Sequence, residues 1–225
     1  MYARLLAFAC LLSCSVLITR AEPTAVPAAT LGVYLKADGS ASSRSLQSMR
    51  LELRKLMGSA GIKVRWFDAP RAAAAEKLIV VELRGACQFS AERMDGQESR
   101  RRLASTAVAD GKVLPFSWVD CTALDEFLGP SLISEFPQER DESYGRALGR
   151  LLAHEFYHIL AQRESHTPGG ISKTSFSVAD LLANHFEFDS DALALLRREL
   201  TVPARPTLRL SRTTLSSNST LLSTR

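Results

Sequence analysis

The segment His154-Glu155-Phe156-Tyr157-His158 constrains this chain more than any other part of its sequence. Residues four apart lie on one face of an α-helix, so the two histidines can present ring nitrogens to one metal ion. Glu155 follows the first histidine directly and can reach a water on that ion without being a ligand itself. The spacing therefore predicts a helix that carries two zinc ligands and a general base.

The residues around this motif have the periodicity of one long helix, from Arg140 to Arg163, with Asp141 as its N-cap. The recurring apolar positions are Leu148, Leu151, Leu152, Phe156, Ile159 and Leu160. Apolar residues on so much of a helix surface imply burial. We therefore expect the metal-binding motif to lie against the core.

A catalytic zinc site has three protein ligands and an open position for water, so a third ligand is needed. We favour His166, which lies twelve residues after His154 and precedes the turn Thr167-Pro168-Gly169-Gly170. Imidazole is a common zinc ligand, and such a turn can fold the chain back. Glu164 and Glu187 remain alternatives. His185, the fourth histidine, is predicted to be structural.

The residues before the motif predict a β-α-β-β order of elements. The run at 31–35 is apolar like a strand, and residues 43–60 have helical spacing. Residues 62–67 alternate between apolar and polar, and residues 77–83 form a second β-rich run. These elements predict part of a sheet with a helix packed on it.

Two further apolar runs, 103–108 and 112–119, are joined at Asp110-Gly111, which is a hairpin signal. The second run contains Pro115, and proline favours the edge of a sheet because it cannot donate to the ladder. An edge strand can pair with an extended peptide, or it can simply end the sheet. Both interpretations remain open.

After the motif, residues 177–200 predict a second helix that opens at Ser177 or Asp180 and ends before Pro203. Residues 201–225 are rich in Ser, Thr and Arg without periodicity, and they predict a disordered tail. Residues 22–200 are long enough for one domain with a full core.

The N-terminal 21 residues resemble a secretory signal, with Arg4 before an apolar run and a cleavage site after Ala21. The apolar run is short for a bilayer span, although a membrane anchor is an alternative. A lipoprotein cut before Cys14 is another. We expect an exported protein, periplasmic or secreted, without stable membrane insertion after removal of the leader.

Cleavage after Ala21 leaves two cysteines, Cys87 and Cys121. An even set in an oxidising compartment predicts a disulfide, with two buried free thiols as the alternative. A third option makes Cys87 an inhibitory zinc ligand.

The formal net charge of +4 does not predict a nucleic-acid partner. Between Glu22 and Leu200 the chain has 22 basic and 24 acidic residues, so the basicity belongs to the leader and the tail. The dense run Arg100-Arg101-Arg102 is typical of a solvated surface.

The motif and its flanks resemble the metzincin clan of zinc metallopeptidases, whose signature is HExxHxxGxxH followed by a turn with methionine. The likeness is greatest to a bacterial exported subgroup in which the third histidine is displaced to the position of His166 and a Gly-Ile-Met segment follows. Here that segment is Gly170-Ile171-Ser172, and Ala161 stands where the signature has glycine. The resemblance covers about residues 140–185.

The resemblance implies a zincin-like α+β fold: a twisted mixed sheet with an edge strand over the active-site helix, followed by a C-terminal helix. It also implies a Zn²⁺ cofactor held by His154, His158 and His166, with Glu155 as the catalytic base. The expected function is hydrolysis of peptide bonds in a peptide or protein substrate, by a monomer. The alternative is a degenerate peptide-binding module on the same scaffold, and a plain exported structural domain would bind no metal.

Overall fold

The computed structural model of the protein describes residues 29–37, 40–67, 77–90 and 101–201. The predicted leader at 1–21 and all but the first residue of the predicted tail at 201–225 lie outside these ranges. Within them, no helix is both long enough and apolar enough to cross a bilayer.

The described chain forms an α+β fold of five strands and five α-helices. The strands are β1 (Ala29–Ala37), β2 (Ile62–Phe67), β3 (Lys77–Arg84), β4 (Ala104–Ala109) and β5 (Lys112–Asp120). The helices are α1 (Ser43–Ser59), α2 (Cys121–Leu132), α3 (Pro137–Ala161), α4 (Val178–Leu182) and α5 (Ser190–Thr201), with a 3₁₀ turn at Gly170–Ser172. The predicted β-α-β-β order is confirmed.

The strands form one mixed sheet in the order β2-β1-β3-β5-β4. The first four are parallel neighbours, and β4 runs antiparallel to β5 at one edge, which confirms the predicted hairpin. Helix α1 packs against α3, and α3 also lies against β4 and β5. The helix with the HExxH motif is therefore held between another helix and the edge of the sheet.

Two glycines let α3 approach α1 closely. A Cβ at Gly145 would fall on the carbonyl oxygen of Ser45, and one at Gly149 would lie 2.8 Å from the carbonyl oxygen of Met49. The two glycines are four residues apart, so they lie on the same face of α3. This face of α3 is the one that packs against α1.

The prediction that the proline-containing strand lies at the edge is wrong, because β5 is flanked by β3 and β4. The register between β4 and β5 shifts after Thr106, and pairing with β3 begins only at Phe116. Pro115 therefore has no partner on either side, and its missing N–H costs no ladder bond. A bulge is the other place where a sheet tolerates proline.

The predicted second helix at 177–200 is two helices, α4 and α5, separated by residues 183–189. A capping box between Ser177 and Asp180 starts α4, and the Asp189 carboxylate accepts from the Ala192 N–H at the start of α5. The carbonyls of Asp180 and Leu181 accept from the buried Arg150 side chain, at 2.9 Å each. These carbonyls are thus satisfied without continuing the helix.

The long helix also begins earlier than predicted. It runs from Pro137 to Ala161, with Phe136 at the N-cap, instead of from Arg140 to Arg163 with Asp141 as the cap. Proline at the first helical position has no N–H to satisfy and is already set in a helical conformation. The Asp141 carboxylate accepts from the Ser42 hydroxyl at 2.5 Å and so ties α3 to the start of α1.

The structure brings Cys87 and Cys121 together as a disulfide, with their Cα atoms 4.9 Å apart. The pair joins the segment after β3 to the first residue of α2. Both side chains are buried. The pairing predicted from the two cysteines is present, and Cys87 is not among the residues gathered at the histidines.

Candidate metal centre

Helix α3 holds His154, Glu155 and His158 where the core meets the edge of the sheet, and all three are at least nine-tenths buried. His166 follows in the loop after the helix and is exposed. One ring nitrogen from each of the three histidines lies within 4.8 Å of the others. Within the described ranges this is the one group of three or more His, Cys, Asp or Glu side chains that could hold a metal ion.

Backbone carbonyls orient two of the three rings. His154 Nδ1 lies 2.7 Å from the carbonyl oxygen of Ile171, and His158 Nδ1 lies 2.8 Å from that of Arg163. A carbonyl oxygen only accepts, so each Nδ1 carries a hydrogen and donates it. In the neutral rings, each Nε2 is then an unprotonated lone pair available to a metal.

The two Nε2 atoms face each other at 3.1 Å. Two lone pairs at that distance repel unless a cation or proton lies between them. With Zn–N bonds of about 2.0–2.1 Å and a tetrahedral angle, two ligand nitrogens would lie roughly 3.3 Å apart. The spacing of the nitrogens therefore fits a shared metal ion.

All three histidines are neutral near pH 7, which is the form that binds metals. Burial lowers the pKa of His154 to about 4, and the neighbouring His158 and His166 lower it further against the effect of the Ile171 bond. Burial also lowers the pKa of His158, and partial desolvation of the ring lowers that of His166, although the residue as a whole is exposed. No proton has to be displaced from a charged ring before an ion binds.

Glu155 is the buried carboxyl group beside these rings. Burial raises its pKa to about 7, although the Thr106 hydroxyl and the charge of Arg102 act in the opposite direction. On the edge strand β4, the Thr106 hydroxyl donates to Glu155, with 2.7 Å between Oγ1 and Oε2. Thr106 gives no signal in the sequence, because a threonine in a strand pattern is ordinary.

The 3₁₀ turn at Gly170–Ser172 carries the Ile171 carbonyl that orients His154. Gly170 has φ +62°, and a Cβ there would fall on the carbonyl oxygen of Glu187. The same carbonyl accepts from the Ile171 N–H at 3.0 Å. These contacts fix the Ile171 carbonyl in the position from which it orients His154.

Two further bonds connect this turn to the residue after His166. The Ser172 hydroxyl lies 2.5 Å from that of Thr167, and the Thr167 N–H donates to the Ser172 carbonyl at 3.0 Å. Ser172 is fully buried. We call this pair the Thr167–Ser172 clasp. It connects the turn beneath one histidine to the loop that carries another.

The other predicted third ligands are placed differently. The Glu187 carboxylate pairs with Lys55 on α1 at 3.0 Å, and Glu164 lines the cleft without joining the histidine cluster. His185 is exposed, which agrees with a structural assignment. The geometry thus gathers His166 with the two helix histidines.

Arg150 is a second residue that the sequence analysis missed. It lies four residues before His154 on α3 and is fully buried. Its Nε donates to Glu52 at 2.8 Å, while Nη1 donates to the two α4 carbonyls. An arginine within a helix pattern is usually exposed, so only the tertiary structure shows this role.

The site opens into a cleft of about 400 Å³. Besides the histidines and Glu155, its lining includes Arg102, Ser105, Thr106, Val108, Val113 and Glu164. Most of these belong to β4 or the residues next to it. An extended ligand in the cleft would lie along the edge strand.

No protein-family model matches the chain, and the comparison with curated proteins finds no match. Fold and site together define an α+β protein with a buried helix, a mixed five-stranded sheet and three histidines able to hold a metal ion.

Proposed function

We propose that the protein is an exported zinc metallopeptidase with a zincin-like, metzincin-related fold. The observation that carries this proposal is the pair of unprotonated Nε2 atoms 3.1 Å apart, with the Glu155 carboxyl next to them on the same helix. A structural zinc site uses four protein ligands and needs no base. Three histidine ligands with a buried glutamate beside them match the composition expected of a catalytic site.

Zinc is the ion that the donor set favours. Imidazole nitrogen suits zinc, whereas magnesium and calcium prefer oxygen ligands. His154, His158 and His166 would hold the ion. When bound there, it would polarise the carbonyl of the substrate and make a coordinated water acidic.

Glu155 is the base in this proposal. Burial raises the pKa of this carboxyl group to about 7 in the metal-free protein, and a bound zinc ion would lower it toward the carboxylate, the form that accepts a proton. Glu155 takes a proton from the attacking water as the oxygen adds to the peptide carbon. The same proton passes to the amine nitrogen as the C–N bond breaks. Thr106 holds the carboxylate at the cleft by its 2.7 Å bond.

The substrate in this proposal is an extended peptide beside β4. That strand ends the described sheet, so its outer edge can pair with a main chain in the cleft. Its residue Thr106 contacts Glu155, so a peptide paired with this strand would lie near the base.

The second candidate is a peptide-binding module without catalysis. The outer edge of β4, which ends the sheet within the described residues, favours it, because main-chain pairing there requires no chemistry. The two candidates share the metal and the cleft and differ only in the reaction.

The experiment that separates them compares the natural chain with Glu155→Gln on a broad pool of peptides. We expect hydrolysis by the natural chain, loss of hydrolysis with a chelator and recovery with zinc. The Glu155→Gln variant should bind zinc but hydrolyse about 10²–10⁴ times more slowly. If both proteins are equally inert with zinc bound, the peptidase proposal is wrong and the binding module replaces it.

A further inference from the structure

The charges along the cleft are not balanced. Arg102 directly precedes the edge-strand region, is exposed, and lines the cleft. Its Nη1 donates to the Ser105 hydroxyl at 3.1 Å. Within the part of the chain that the structure describes, no carboxylate forms an ion pair with it. The preceding residue differs: Arg101 donates to both carboxylate oxygens of Glu126.

The Ser105 bond holds the guanidinium while leaving most of its hydrogens free. An arginine side chain has five N–H donors in a rigid fork, which matches the two oxygens of a carboxylate. Here the one described bond uses Nη1. Arg102 is exposed and lines the cleft, and no described residue accepts from its other donors, so a carboxylate can bind without displacing a described partner.

The position of Arg102 relative to Glu155 follows from two contacts between β4–β5 and α3. The first is the hydrogen bond from Thr106 on β4 to Glu155 on α3. The second joins the end of α3 to the hairpin, because Gln162 donates to the carbonyl of Val113. On β4, the residue paired with Val113 is Val108. Strand β4 and helix α3 therefore run side by side in the same direction. Arg102 lies before Thr106 on this path, on the side away from the helix end.

Besides Glu155, the cleft has a second acidic group, which lies on the side opposite Arg102. Glu164 follows the end of α3 and lines the same cleft. An anionic group of a ligand would be repelled from that side and attracted to the other. The two charges thus give the cleft a direction for a charged ligand.

We propose that Arg102 forms a subsite for a carboxylate of the bound peptide, on the Arg102 side of Glu155. This rests on the proposed function only in that the cleft takes a peptide. The carboxylate can be an Asp or Glu side chain or the C-terminus of the peptide, because both present the same two oxygens. The ligand class is therefore a peptide with a negative charge on the Arg102 side of Glu155.

Retention of peptides tests this subsite without requiring catalysis. Zinc-loaded Glu155→Gln protein is immobilised and exposed to two synthetic pools of N-acetylated random octapeptides, one with a free carboxyl terminus and one amidated. Retained peptides are sequenced by mass spectrometry. We expect enrichment of Asp and Glu at one position in the amidated pool if the carboxylate is a side chain. Preferential retention of the free-acid pool identifies the C-terminus instead.

Variants of the arginine assign the effect. Arg102→Gln, introduced into the Glu155→Gln protein, should weaken binding of a selected acidic peptide about ten-fold. This is the low end of the range for hydrogen bonds to a charged group, because the site is exposed. It should leave the matched neutral peptide, with Gln for Glu or an amidated terminus, unchanged. Arg102→Glu should select Lys and Arg instead. Arg101→Gln is the matched control and should behave like its parent.

The outcomes separate this proposal from the peptidase proposal, since hydrolysis by the natural chain is measured on the same pools. Carboxylate selection that depends on Arg102, without hydrolysis, supports the subsite and refutes the peptidase. Three results would overturn the subsite, whatever the hydrolysis result. The retained peptides could show no enrichment of carboxylates, the enrichment could survive Arg102→Gln, or no peptide could be retained at all.

Discussion

At the scale of single residues, the site depends on which nitrogen of each histidine carries the proton. The carbonyls of Ile171 and Arg163 bind Nδ1 of the two helix histidines and leave Nε2 free. Both carbonyls belong to the chain after the helix, so that segment determines whether the rings point correctly. Partners of this kind are typically worth 10–100-fold in metal affinity.

The Thr167–Ser172 clasp should matter for the metal in the same way. We expect Thr167→Val to weaken zinc binding about ten-fold, because the hydroxyl that meets Ser172 beside His166 is lost. Thr167→Ser keeps the hydroxyl and should restore the affinity. Competition titration with a zinc chelator measures both.

A control separates this effect from loss of stability. Ser177→Ala removes the cap of α4 and should lower stability by about 1 kcal/mol without changing zinc affinity. Equal zinc affinity in Thr167→Val and the natural chain would show that the clasp does not position His166.

At the scale of elements, one buried arginine connects three helices. Arg150 on α3 pairs with Glu52 on α1 and donates to two carbonyls at the end of α4. Burial lowers its pKa, and the Glu52 carboxylate acts in the opposite direction. The segment between α3 and α5 is therefore anchored near the site by a polar contact that no local pattern encodes.

Removing this arginine should be strongly destabilising. Arg150→Ala leaves the nearly buried Glu52 carboxylate without a partner, and we expect a loss of about 3–5 kcal/mol in the free energy of unfolding, measured in urea. Arg44→Ala breaks an ion pair in which both side chains are about half exposed and should cost less than about 1 kcal/mol. Similar losses in the two variants would contradict the anchoring role.

The start of α4 should give the stability an acid-dependent component. Partial burial opposes ionisation of Asp180, but its bonds from Lys173 and Ser177 outweigh it and lower its pKa to about 2 from 3.8. A depressed pKa stabilises the fold above the unfolded pKa, and this contribution is lost as pH falls from about 4 to 2.

Comparison of the natural chain with Asp180→Asn measures this component. We expect the natural chain to be more stable by about 1–2 kcal/mol at pH 5, reduced from the full shift because the carboxylate is partly exposed. The difference should shrink toward pH 2. A difference that is independent of pH would exclude the ionised carboxylate as its source.

At the scale of the whole molecule, elements set by local chemistry were predictable from sequence. Helical periodicity predicts most of α3, and Asp110-Gly111 predicts the hairpin between β4 and β5. The number of ligands that a zinc site requires predicts a third ligand, and the turn after His166 favours that imidazole, which the structure places with the two helix histidines. Each of these signals lies within a short stretch of chain.

Features decided by contacts between distant segments were not predictable. Pro115 predicts an edge strand by a local rule, but a bulge accommodates it within β5, which has a neighbour on each side. The break between α4 and α5 coincides with bonds from Arg150, some 30 residues earlier. Thr106 acquires its role only because β4 packs beside α3.

The disulfide between Cys87 and Cys121 joins parts of the fold that are 34 residues apart in sequence, from the segment after β3 to α2. Its effect on stability therefore concerns the whole molecule. Thiol titration of the unreduced, denatured mature chain should find no free thiols. Reduction should lower the free energy of unfolding by about 3–4 kcal/mol in the loop-entropy description. Two free thiols would refute the bridge, and one would show that the leader is cleaved at a site other than the one after Ala21.

The central claim is that His154, His158 and His166 together hold one zinc ion. Its most direct test is the zinc content of the purified mature chain. The chain is refolded with zinc and dialysed, and its metal content is measured by elemental mass spectrometry. His166→Ala serves as the ligand variant, and Glu187→Gln as its control. We expect about one zinc per chain in the natural protein and the control, and much less in His166→Ala. A natural chain that retains no metal, or a loss of zinc in Glu187→Gln instead of His166→Ala, would contradict the account.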